Sequence, residues 1–293
     1  MSEDFLELVD THAHLDMDSY DEDRLEVIER CKEGIFPNLP GKRETDLPFS
    51  CRMKAIICPG ITLETSRNGI EVCRKSQILY PAVGIHPNYA KDVSDSEWNF
   101  IRELAGLPEV VGIGETGLDL YWDYAPLEKQ IENLYKHLEI ARSAQKPILI
   151  HCREAEKELL PILRDFCKWD PNQKGPALKG IIHSFSADPE TALECIDLGF
   201  YISFSGSVSY TNKKFAPVWE AARIVPDDRL LLETDSPFLV PHPFRGKLER
   251  NEPLMSFFAA KRLAELRSVS LEEITRLTAD NAFRLFELKG KNR

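Results

Sequence analysis

His12 and His14 stand two residues apart in VDTHAHLD, and the alternation of an extended chain turns both side chains to one side. Two imidazoles so placed can bind one transition-metal ion; on their own they fit equally well as one core ring and one surface ring. The balance changes with four other residues. Glu115 in GIGETGLD, His151 in ILIHCRE, His183 in GIIHSFS and Asp235 in LLETDSP each end or lie within a run rich in β-formers. If those runs are strands of one barrel, four of the seven histidines and two carboxylates meet at a single mouth. Such a set points to one or two divalent cations. Six ligands exceed one tetrahedral site, so a carboxylate shared between two ions is the economical arrangement, and Glu115 is the natural bridge.

Other residue types suggest what such a centre would act on. Arg153 follows His151 by two positions and should face the mouth; Arg245 and Lys247 belong to the loop after the last strand. A guanidinium bonds two phosphate oxygens at once. The competing readings are an internal salt bridge for Arg153 and a solvated loop charge, the favoured one, for Lys247. His86 is placed to touch substrate or to sit capped in the core. His242 is a weaker candidate on the Arg245 loop, and His137, within 126–144, reads as structural. Asp235 is placed to bind metal and to take a proton from water. Glu233, two residues earlier and on the same side, is placed to orient a ligand histidine or a water, or to partner a neighbouring strand. Cys152 should point away from His151 into packing. No glycine-rich phosphate loop is present, since GIGETG lacks the lysine and spacing it needs.

The elements that must position these groups are legible as eight short runs: 7–12, 54–60, 79–86, 110–115, 147–152, 180–185, 200–206 and 230–235. Most are nearly continuous Val, Ile and Leu, the pattern of parallel strands buried on both faces. Between them lie helical signals: an amphipathic stretch at 22–34 ending at Gly34, capping boxes at Ser94–Glu97 and Ser270–Glu273, a long helix at 126–144, and Asp188 before Pro189. The recurrence at roughly 30 residues is one βα unit, and eight units make a (β/α)8 TIM barrel. A doubly wound sheet is the competing architecture. The expected organisation is one α/β domain over 1–293, with a loop insertion near 35–53, where Pro37, Pro40, Gly41 and Pro48 fall.

Composition narrows the function classes. With 37 basic and 48 acidic residues the formal net charge is −11, which argues against a protein that coats nucleic acid with a broad basic face. Bound cations can still supply positive charge at a local mouth. Apolar runs are far shorter than the ~20 residues a membrane-spanning helix needs, so no membrane association is expected. The acidic opening MSEDFLELVD does not resemble a secretory signal, and seven cysteines without a CxxC pair suit a reduced, cytoplasmic protein.

Taken together, VDTHAHLD, VGIHP, IGETGLD, ILIHCRE, HSFSAD, GFYISFSG, LLLETDSPFLVP and RGKLERNEP closely resemble the TatD family of metal-dependent hydrolases, deoxyribonuclease-like members of the amidohydrolase superfamily. The resemblance implies metal ligands at His12, His14, Glu115, His151, His183 and Asp235. Asn88 stands where members of that family often carry a histidine. By this resemblance the chain is expected to use two divalent cations (zinc, nickel, manganese or magnesium) to activate water. The expected substrate is DNA, attacked as a 3′-5′ exonuclease at a single-stranded or frayed 3′ end that brings only a few phosphates into the mouth. The alternative is hydrolysis of a carbonyl substrate (an amide, lactone or aminoacyl ester) by the same centre. A non-catalytic binding module would have lost ligands, and none is lost.

Overall fold

In the computed structural model, residues 5–41, 50–167, 169–170, 175–176 and 178–289 are described. Eight parallel strands lie in sequence order: β1 (Leu6–Asp10), β2 (Cys51–Pro59), β3 (Leu79–Val83), β4 (Gly112–Asp119), β5 (Ile148–Arg153), β6 (Gly180–Ile182), β7 (Phe200–Phe204) and β8 (Leu230–Leu232). The last closes on the first just beyond the strand ends. Thr11 N donates to Leu232 O, Asp235 N to His12 O and His14 N to Ser236 O, at 2.8–3.0 Å. The result is a nearly closed (β/α)8 barrel in a single domain.

Helices alternate with the strands: α1 (Arg24–Glu33), α2 (Leu63–Cys73), α3 (Asp95–Ala105), α4 (Leu127–Ala144), α5 (Glu156–Phe166), α6 (Pro189–Asp197), α7 (Ala216–Ile224), α8 (Ser256–Arg267) and α9 (Leu271–Phe286). Their ends follow the local chemistry of the sequence. Gly34 ends α1 in the left-handed region at φ +78°. Ser94 and Glu97 close a reciprocal capping box on α3, and the Asp188 side chain accepts from Thr191 N ahead of Pro189. Ser270 caps α9 by accepting from Glu273 N.

Two apolar layers hold the barrel. Inward-facing Val9, Ala55, Ile57, Ala82, Leu149, Ile181 and Leu231 pack with Ala279, Ala282, Leu285 and Phe286 of α9. The C-terminal helix therefore covers the end of the barrel where the strands begin and leaves the opposite mouth open. Outward-facing strand residues and the remaining helices form the larger layer.

Several expected boundaries are corrected. The stretch 35–53 is not all loop: 35–41 is irregular, 42–49 lies outside the described residues, and β2 begins at Cys51, paired with Leu6. Strands β3, β6 and β8 end at Val83, Ile182 and Leu232, before His86, His183 and Asp235, because the chain leaves the sheet there to form the mouth. Glu115 does not end β4, which runs on to Asp119, and His151 lies within β5 rather than at its end.

Candidate metal centre

The most irregular strand positions the central carboxylate. The pairing of β4 with β5 slips between Ile113 and Thr116, a bulge that turns Glu115 into the mouth. The bulge depends on glycine. Gly114 has φ +138° and Gly117 φ +143°, and a Cβ on Gly117 would stand 1.9 Å from the His151 carbonyl oxygen.

Glu115 then divides its two oxygens between two sets of imidazoles. Oε2 lies 3.1 Å from His12 Nε2 and 3.5 Å from His14 Nε2. Oε1 lies 2.9 Å from both His151 Nδ1 and His183 Nε2. Asp235 Oδ1 completes the first set, 3.6 Å from His14 Nε2 and 3.9 Å from His12 Nε2. Between the sets, the His12 and His183 rings stack with centroids 3.9 Å apart. All six residues singled out from the sequence thus come together. Among the described residues, three groups bring ligand atoms within 4.8 Å of one another: His12–His14–Asp235, His12–Glu115–His183 and His86–Asp119–His151.

The partners behind the rings fix which nitrogen faces inward. His14 Nδ1 meets the Pro59 carbonyl oxygen at 3.2 Å, His183 Nδ1 meets Glu233 Oε1 at 3.3 Å, and His151 Nε2 meets Asp119 Oδ2 at 3.0 Å. Each partner can only accept, so each of those nitrogens carries the hydrogen. The inward nitrogens of neutral rings are then lone pairs aimed at carboxylate oxygens, an arrangement that calls for a cation between them. His12 Nδ1 is fully buried without a hydrogen-bond partner among the described residues. The donor set fits divalent cations.

His86 differs from the other four. Its Nδ1 accepts from Asn88 N at 3.1 Å, so its hydrogen sits on Nε2, 3.3 Å from Glu115 Oε1. It donates to Glu115 rather than offering a lone pair, and the backbone of Asn88 holds it in that tautomer.

The electrostatics agree. Burial alone would raise the Glu115 pKa, but His183, His86 and His12 hold it well below the usual carboxylate range. Burial opposes charge on His14, yet Asp235 and Glu115 lift it to about 9. Against the same opposition, Glu115 and Glu233 raise His183 well above its ordinary value. His14, His151 and His183 are raised while burial and His183 hold His12 down, so the buried carboxylates draw positive charge to the cluster, carried by protons or by metal ions.

Surrounding residues hold the cluster in place. Glu233, wholly buried, places Oε1 behind His183 and accepts from Ser184 N at 2.6 Å. Ser184 and Asp235 sit at φ +43° and +55°, a left-handed backbone costly for residues with a side chain and held here by the closure of the barrel. Three groups escaped the sequence reading. Asp10 Oδ1 accepts from His12 N and Thr234 N, both at 3.0 Å, and so clamps β1 to the segment after β8. Asp119 orients His151. The exposed aromatic residues after β4 had no periodic signal. Asp119 could have been found: it lies four residues beyond Glu115, on the same side of an extended strand.

Arg153 and Arg245 are exposed, over the rings of Tyr121 (3.8 Å to the centroid) and Tyr210 (4.3 Å), and neither forms an ion pair among the described residues. The internal salt bridge considered for Arg153 is thus absent there. Lys247 and His242 are solvent-exposed. His137 is structural: Nε2 accepts from Ile85 N at 3.0 Å, and Nδ1 lies 2.8 Å from Asn133 O. Cys152 packs against the outer apolar layer, as expected.

Known proteins share this architecture. The family model for TatD related DNase matches residues 9–287. An uncharacterized metal-dependent hydrolase of Bacillus subtilis, YabD, is 37% identical over 96% of this chain and 99% of its own length. The 3′-5′ ssDNA/RNA exonuclease TatD of Salmonella typhimurium is 29% identical over 82% of this chain and 90% of its own. Among solved structures, the TatD homolog YJJV of Escherichia coli superposes with a TM-score of 0.81 at 25% identity, covering 96% of this chain and 98% of that one. A dihydroorotase from Campylobacter jejuni, 16% identical with a TM-score of 0.57 over 98% of this chain and 85% of its own, shares the fold. With its carboxylate-split histidine cluster at the mouth of the barrel, the chain belongs to the TatD family of metal-dependent hydrolases.

Proposed function

We propose that this hydrolase is a deoxyribonuclease that shortens single-stranded or frayed DNA from the 3′ end, with two divalent cations held by His12, His14, Glu115, His151, His183 and Asp235. Glu115, whose Oε2 faces His12 and His14 and whose Oε1 faces His151 and His183, is the residue that would be shared between them. Divalent cations in such a site lower the pKa of water toward neutrality and neutralise charge on the group attacked. The remaining steps fall to the side chains. Asp235 is 16% exposed where Glu115 is 4%, so Asp235 is the carboxylate open to the incoming water and takes its proton. Glu233 does not touch the reacting atoms; it positions His183. His86 directs Nε2 at Glu115 Oε1, 3.3 Å away.

The observation that carries the phosphodiester reading is Arg153. It is exposed, free of a carboxylate partner among the described residues, and on the strand whose His151 belongs to the cluster. Its planar fork suits a phosphate. Arg245 is the second such cation. The Salmonella relative's name as a single-strand exonuclease supports the same substrate class. Seven free cysteines, six of them buried, suit a reducing cytoplasmic setting, and no helix among the described residues is long and apolar enough to cross a membrane.

The test is turnover of single-stranded oligonucleotides labelled at either end. The expected result is early release of the 3′ label as a mononucleotide, blocked by chelator and restored by added divalent cation. No shortening of any strand, with rapid cleavage of an aminoacyl ester, would replace this reading with the carbonyl one.

A further inference from the structure

Four large apolar residues, Leu120, Tyr121, Trp122 and Tyr124, are each 40–59% exposed within five positions of the loop after β4. A soluble surface rarely concentrates aromatic rings this way without a use for them. The loop is tied to the cluster: Asp119 Oδ1 accepts from Tyr121 N at 2.9 Å and Trp122 N at 3.0 Å, while Asp119 Oδ2 holds His151. One carboxylate thus fixes both a ligand histidine and the base of the aromatic loop. The rings are ordered among themselves. Trp122 and Tyr124 stack at 5.6 Å with planes 23° apart, and Tyr121 meets Trp122 edge-on at 4.8 Å. The Arg153 guanidinium lies over Tyr121, 5.8 Å from the Trp122 ring.

We propose that Tyr121, Trp122 and Tyr124 are a base-stacking platform that receives the terminal nucleotides of a single strand, while Arg153 holds a phosphate of the same segment. This rests on the nucleic-acid reading above and adds the contact that selects unpaired ends. Rings that are 43–59% exposed still offer surface to a base, and any base will serve because every base has a π-face. Paired bases within a duplex do not offer those faces. A cation among the rings matches a ligand that alternates bases with phosphates, and does not match a purely apolar partner. The platform also explains how a chain of net charge −11 grips a polyanion: stacking supplies binding that a basic surface does not.

The experiment is a cycle between protein and substrate. KM is measured for wild type, Trp122→Ala and Trp122→Phe, on a single-stranded oligonucleotide and on the same strand with abasic residues at its two terminal positions. Metal content is measured in each protein. Trp122→Ala should raise KM for the intact strand by about 5- to 100-fold, the range expected for one lost stack. Trp122→Phe should recover most of it. The abasic strand should bind wild type as poorly as the intact strand binds the alanine variant, with little further loss when both changes are combined. Metal content should not change. If wild type shortens the strand and Trp122→Ala matches it, the platform is refuted, as it would be if the patch served a protein partner. An equal loss on intact and abasic strands refutes it as well. If wild type shortens no strand, the nucleic-acid reading falls first and takes the platform with it.

Discussion

Glu115 has two oxygens and a histidine nitrogen has one lone pair, so the residues of the cluster are not equivalent. Oε2 faces His12 and His14, and Oε1 faces His151 and His183. Loss of His183 should empty mainly one position. Glu115→Gln should disturb both, because the amide offers one good acceptor and no charge to offset two cations. The expected outcome for Glu115→Gln is a drop in activity of at least about 100-fold, with the weaker ion lost and the barrel still folded. Metal titration and circular dichroism of the two variants check it. Two ions at wild-type affinity in Glu115→Gln would show that Glu115 is not shared. At this scale much was legible in advance. The six residues that the structure gathers stood out because each lies in, or just after, an apolar run. His86 as a donor to Glu115 was not, since its tautomer is set by the backbone of Asn88. Asp10 was not, because Thr234 is brought near it only by barrel closure; Asp119, four residues beyond Glu115, was open to a strand-periodicity argument.

The elements show why apolar runs announced the barrel but misplaced its edges. Eight runs at roughly regular spacing gave the strand count, since buried parallel strands must be apolar on both faces. Strand β4 was expected to end at Glu115, where the apolar run ends; in the fold Gly114 and Gly117 permit a bulge and the strand runs on to Asp119. His137 illustrates a tie between elements: it joins α4 to the segment after β3, fully buried. Burial drives its pKa from 6.5 down to about 4, against the hydrogen bond that Nδ1 donates to the Asn133 carbonyl, which works the other way. Between those values the unfolded chain binds a proton that the folded one refuses. Stability from this group is therefore complete above pH 6.5 and is lost as pH falls toward 4. Its size is roughly 3 kcal/mol. His137→Gln should lower Tm at pH 7, yet show a shallower decline from pH 6.5 to 4.5 than wild type. Parallel declines in thermal melts would contradict this.

Over the whole molecule, α9 covers one end of the barrel and the cluster lies at the other, so substrate meets the centre from one side only. The overall charge of −11 gives a strand no broad basic track. On the proposed reading, recognition is concentrated at the mouth, where the buried carboxylates, two exposed arginines and a ring-bearing loop lie. The most direct test titrates metal-free protein with a divalent cation, following occupancy and turnover of a 3′-labelled single-stranded oligonucleotide in one sample. The expected result is up to two cations per chain, negligible turnover before loading, and activity that rises with occupancy. Full turnover by metal-free protein in excess chelator would contradict it.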